Sequence, residues 1–147
     1  MLEKTSNIDL NQEVEALIEL FQAGEIEQVL YEVDLILKQF PDSIALLNLQ
    51  GIAYSTLSNF HEAIQTYKKA IHIDPDNSIT NFNLGVALQD SGQLTDALTN
   101  YQVAVRKNPQ YFQALFNIGL IFEKMELMPS AVSYYKKALA FNPNNGQ

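Results

Sequence analysis

Four prolines recur at one fixed interval: Pro41, Pro75, Pro109 and Pro143 stand 34 residues apart. Gly51, Gly85 and Gly119 keep the same step, as do Ala63, Ala97 and Ala131, and Tyr67, Tyr101 and Tyr135. Random composition does not hold four residue types in register over most of a chain. The chain is therefore an array of one supersecondary unit, which must stack on its neighbours to bury a continuous core.

Composition fits such an array. The 147 residues amount to one modest domain, and 47% of them are apolar, enough for a continuous core. Cysteine is absent, so there is no disulfide framework and no thiolate metal site. No apolar run approaches the roughly 20 residues that span a bilayer, and the start, Met1 to Asn7, lacks a signal pattern. These features predict a soluble cytoplasmic protein that does not enter a membrane. The net charge of −8 is concentrated at one end. Residues 1–34 hold nine of the seventeen acidic residues and one of the nine basic ones, Lys4. An acidic first unit is either a solubilising cap on the array or a docking surface for a basic partner. With no basic stripe to neutralise phosphates, nucleic acid is not expected as a ligand.

Setting the glycine at the eighth position divides the chain into a tail at 1–9, a divergent first repeat at 10–43, repeats at 44–77, 78–111 and 112–145, and a tail at 146–147. The first repeat has Leu17 and Val29 where the others carry glycine and alanine, but it keeps Pro41 and a turn at Gly24 that aligns with Gly92. Each unit reads as two helices. In the third, Asn77 or Ser78 caps helix A, which runs to about Asp90 before Gly92 closes it. Helix B runs from about Leu94 to Lys107, and Asn108-Pro109 ends it. Leu94, Ala97, Leu98, Tyr101, Ala104 and Val105 fall on one face of that helix. The small residues predict close helix approach: Gly85 facing Ala97 within its unit, Ala104 making room for the next unit, and Tyr101 and Leu98 filling the gaps.

The glycine, the Ala-x-x-x-Tyr and the closing proline in a 34-residue frame resemble a tetratricopeptide repeat. The resemblance covers the second to fourth units and implies an all-α, right-handed superhelical solenoid of helix-turn-helix repeats. The usual tryptophan at the fourth position is replaced by Leu47, Asn81 and Leu115. The stretches Asn81–Gly85 and Phe116–Gly119 also resemble repeats that precede O-linked N-acetylglucosamine transferase catalytic domains.

The resemblance implies that A helices line a concave groove. The positions that face it in this family carry Asn48, Ile52, Phe82, Asn83, Val86, Gln89, Phe116, Asn117 and Leu120 here. Such a groove offers apolar anchors beside carboxamides, which both donate and accept hydrogen bonds. The expected function is a non-catalytic scaffold that binds a protein or peptide segment there. Two other readings stay open: a substrate-recruiting fragment of a larger glycosyl- or sulfo-transferase, and a structural self-association module. Clamps that hold a chaperone's terminal carboxylate need cations on successive A helices, and the groove positions carry none. His61 and His72 are the only histidines, and no spacing suggests a catalytic site, a metal site or a cofactor site.

No further A helix follows the fourth unit, so Val132, Tyr135, Leu139 and Phe141 are expected to lack a cover. Self-association as a homodimer through that uncapped C-terminal end, a partner, or a longer natural chain would each supply one.

Overall fold

The structure, a computed structural model, describes residues 9–142 and 144. The tail expected over 1–9, apart from Asp9, lies outside the described residues. So do the tail at 146–147 and two residues of the fourth repeat, Pro143 and Asn145. The described chain is eight helices with no strand: α1 (Leu10–Gln22), α2 (Ile26–Leu37), α3 (Ile44–Thr56), α4 (Phe60–Ile73), α5 (Ser78–Asp90), α6 (Leu94–Lys107), α7 (Phe112–Lys124) and α8 (Met128–Phe141). Odd-numbered helices are the A helices and even-numbered ones the B helices. Each helix packs on the next, and α3 also touches α1 and α5, so the pairs stack as a helical solenoid.

Local chemistry sets the helix limits. Asp9, Ser43 and Asn77 precede three A helices at one-repeat spacing, and each accepts a hydrogen bond from a first-turn backbone N–H, at 3.1, 3.4 and 3.0 Å. The fourth such position is Tyr111, which makes no side-chain cap. Asn77, rather than Ser78, is therefore the cap of α5. At the A-to-B turn the backbone is left-handed in all four repeats: Gly24 at φ 85°, Ser58 at 59°, Gly92 at 84° and Glu126 at 60°. Glycine marks only half of these turns. At the repeat junctions Asp74 and Asn108 leave the helical region just before Pro75 and Pro109.

Inside the pair the packing differs from the expected glycine–alanine contact. A Cβ placed on Gly51, Gly85 or Gly119 would come within 2.4, 2.6 and 2.6 Å of Tyr67, Tyr101 and Tyr135 respectively. The glycine thus receives a tyrosine ring, and Gly85 faces Tyr101 rather than Ala97. The physical reason is direction. A long side chain on a helix leans back toward the N-terminus and covers the turn before its own Cα. Tyr101 therefore covers the turn that holds Ala97, and its ring meets Gly85. In the first repeat the same two positions hold Leu17 and Val33, both buried. There the bulk has moved from helix B to helix A.

Two apolar clusters run through the stack. One joins Leu17, Val29, Val33 and Ile36 to Leu46, Leu49 and Ala53 of the second repeat. The other joins Ala63, Ile64 and Tyr67 to Leu84, Leu88, Tyr101, Ala104, Ala114, Ile118 and Ile121. Two buried side-chain amides tie elements together. Asn81, at the fourth position of its repeat, donates to the carbonyls of Pro75 and Asn77 at 3.0 and 2.9 Å and ties the repeat junction to α5. Gln50 donates to Asp34 at 2.8 Å and ties α2 to α3.

Candidate functional site

Two troughs open along the A helices, and both include Phe82. The first, about 400 Å³, is lined by Ile52, Ser55, Thr56, Tyr67, Phe82, Asn83 and Val86. The second, about 740 Å³, is lined by Phe82 with Phe112, Gln113, Phe116, Asn117, Leu120 and Glu123 of α7, and by Tyr135, Ala138, Leu139 and Asn142 at the α8 end. Seven of the nine expected groove residues thus line one or both troughs. They recur at fixed positions of the A helices and so share a face: Phe82 and Phe116 at the fifth, Asn83 and Asn117 at the sixth, and Ile52, Val86 and Leu120 at the ninth. Asn48 and Gln89 line neither trough.

The carboxamides do not form the uniform row that their spacing suggests. Asn48 donates to Thr80 at 2.9 Å, and its Oδ1 is buried without a partner. Asn48 therefore joins α3 to α5. Asn117 donates to the Tyr101 hydroxyl at 3.1 Å, and that hydroxyl donates to Gln89 Oε1 at 2.8 Å. This chain of bonds fastens the fourth repeat to the third and accounts for both Gln89 and Asn117. Asn83 alone keeps a half-buried carboxamide that bonds to no other described residue, beside the apolar wall of Ile52, Phe82 and Val86.

Aromatic packing stiffens the second trough. Phe82 lies 4.8 Å from Tyr111 and 5.7 Å from Tyr101 between ring centroids. Phe116 lies 5.4 Å from Tyr135. Burial pushes the Tyr101 hydroxyl far above its ordinary range, although the hydrogen bond from Asn117 opposes the shift. Partial burial, the hydrogen bond to Glu123 and that carboxylate's charge together push the Tyr135 hydroxyl up to about 12. Both phenols are thus neutral donors at physiological pH.

At the C-terminal end, Val132, Leu139 and Phe141 are exposed and Tyr135 is half-buried. A more polar cleft of about 640 Å³ includes Asp34, His61, Glu62 and Lys69, while His72 lines a separate hollow. Among the described residues no group of three His, Cys, Asp or Glu side chains could hold a metal ion. No described helix is long and apolar enough to cross a membrane.

Helical pairs with one period, a glycine-to-tyrosine contact in three of the four and troughs along the A helices define an α-solenoid. Two family models, both of the tetratricopeptide repeat, match residues 82–146 and 51–92. The fold is a helical solenoid of tetratricopeptide repeats. Comparison with curated proteins finds no match. Among solved structures, a crystal structure of MamA is similar at a TM-score of 0.80 and 23% identity, over 87% of this chain and 77% of that one. MamA from residue 41 onward of Desulfovibrio magneticus RS-1 is similar at a TM-score of 0.81 and 16% identity, over 91% of this chain and 76% of that one. At such identities the likeness is one of fold.

Proposed function

We propose that the chain is a non-catalytic scaffold that holds a polypeptide segment in the troughs along its A helices. One observation carries the reading: the unbonded Asn83 carboxamide stands between apolar walls formed by Ile52, Phe82 and Val86. A carboxamide can bond one backbone N–H and one C=O of a bound segment, and the walls receive its apolar side chains. Phe116 and Leu120 extend the apolar surface into the second trough. Contiguous apolar surface of this kind marks an interaction site. If the chain is the repeat portion of a larger transferase, as the likeness of Asn81–Gly85 and Phe116–Gly119 suggests, the same troughs would recruit its polypeptide substrate.

The test is a peptide array probed with the wild type and with the double variant Asn83→Ala, Val86→Lys. Both side chains are half-buried and Val86 packs against the core, so the melting temperature should fall modestly while the circular dichroism spectrum stays that of the folded chain. Binding should fall about tenfold, as when a central contact of an interface is lost. Unchanged binding, with partners mapping to the acidic first repeat, would overturn the reading.

A further inference from the structure

The second trough has a counterpart one repeat earlier, and that counterpart is filled. There α7 lies against α5 and α6: Tyr111 packs on Phe82, Ala114, Ile118 and Ile121 enter the core, and Asn117 donates to Tyr101. The same receiving surface recurs in the fourth repeat, with Phe116 for Phe82, Tyr135 for Tyr101 and Ala138 for Ala104. Phe116 is 48% exposed there whereas Phe82 is half-buried, and Tyr135 is half-buried whereas Tyr101 is fully buried. One difference between the two copies places a charge. Gln89, the end of the hydrogen-bond chain, is replaced by Glu123, which accepts the Tyr135 hydroxyl and has no cationic partner among the described residues.

We infer that the trough between α7 and α8 receives an amphipathic helix of a partner polypeptide, which sets a lysine or arginine against the Tyr135–Glu123 pair where Asn117 stands one repeat earlier. This deepens the reading of the troughs as polypeptide sites and rests on it. The filled copy gives the stripe of the occupant: an aromatic residue, a small one three places on, the cation six places on, and apolar residues seven and ten places on, after Tyr111, Ala114, Asn117, Ile118 and Ile121. The cation donates to the Tyr135 oxygen and offsets the Glu123 charge, which a neutral carboxamide does not do. A second copy of this chain stacked end to end does not fit. Its α1 would bring Glu15 to the cation's place and Gln12 and Glu13 to the places of the buried Ala114 and Leu115. Like charges so placed repel.

The probes are synthetic peptides with the sequence of residues 110–126, one unchanged, one with Asn117→Lys and one with Asn117→Glu, titrated into the 147-residue chain. The lysine peptide should bind about fivefold more tightly than the unchanged one, as one partly exposed ion pair allows, and the glutamate peptide most weakly. Bound peptide should gain helical circular dichroism. In the Glu123→Gln variant, which restores the side chain of the third repeat, the lysine preference should vanish. Equal affinity for the lysine and glutamate peptides, a preference that survives Glu123→Gln, or binding without helix gain would each overturn the inference. Dimers in light scattering, with no peptide bound, would assign the trough to a second copy instead. If no peptide binds but array binding that depends on Asn83 and Val86 persists, this inference fails and the scaffold reading stands.

Discussion

The third and fourth repeats have nearly the same receiving surface and differ in what lies on it. Tyr101 and Tyr135 each press on a glycine and each donate to position twelve of their A helix, Gln89 or Glu123. Yet Tyr101 is fully buried and takes a second bond from Asn117, while Tyr135 is half-buried at the edge of an open trough. In a solenoid the environment of a side chain is completed by the following unit, because each repeat contacts only its neighbours. The third repeat is held from both sides, whereas the described part of the fourth is held from one.

The largest expected effect compares Gly85→Ala with Gly119→Ala. Each substitution gains about 1 kcal/mol of helix propensity, and each pushes a Cβ to 2.6 Å from a tyrosine ring. The Tyr101 ring is enclosed and has nowhere to move, so Gly85→Ala should lose about 1–3 kcal/mol net. The Tyr135 ring can shift into the open trough, so Gly119→Ala should stay within about 0.5 kcal/mol of the wild type. Urea melts decide it. Equal losses would mean that the fourth repeat is as tightly enclosed as the third, and the comparison would break.

A smaller difference separates Tyr101→Phe from Tyr135→Phe. The first removes a hydroxyl that bridges Gln89 and Asn117 and strands both carboxamides in partly buried sites. Leaving such groups unpaired costs about 1–2 kcal/mol. The second removes one bond at the exposed edge, to Glu123, which water can solvate. Its cost should be below about 0.5 kcal/mol. Thermal melts that rank the two variants in the opposite order would show that the hydrogen-bond chain does not fasten the repeats together.

Spacing made the array legible. Proline, glycine, alanine and tyrosine in one period gave a helical solenoid, because each marks a fixed event in the unit. Spacing says which face a residue shares, however, and not which neighbour it reaches. Gly85 was therefore matched with Ala97, although the ring four residues later leans back over that turn to fill the gap. Asn48 and Asn117 donate to Thr80 and Tyr101, partners 32 and 16 residues away that no local pattern discloses. Asn81 in the tryptophan position reads as an oddity until its two carbonyl acceptors are seen. The alignment of Gly24 with Gly92, two periods apart, also marks Ser58 and Glu126 as the same turn, although neither is a glycine.

That turn gives the smallest effect and sharpens the comparison, since it should not depend on what covers the repeat. Gly92 and Glu126 occupy one backbone conformation, at φ 84° and 60°, in the third and fourth units. A Cβ on Gly92 would meet nothing within 4 Å, so packing does not enter and only the backbone preference remains. For a residue with a Cβ, left-handed geometry costs about 1 kcal/mol, and glycine avoids that cost. Gly92→Ala should therefore lose about 0.5–1 kcal/mol and Glu126→Gly should gain a similar amount, less the entropy that glycine loses on folding. Ser58→Gly should follow Glu126→Gly, because both sit at a turn and neither side chain is buried. Opposite signs at the two turns, read from urea midpoints at constant slope, would show that turn chemistry is local while ring burial is set by the neighbour. A loss from Glu126→Gly would mean that its side chain holds the α7–α8 turn by contacts that the third repeat lacks.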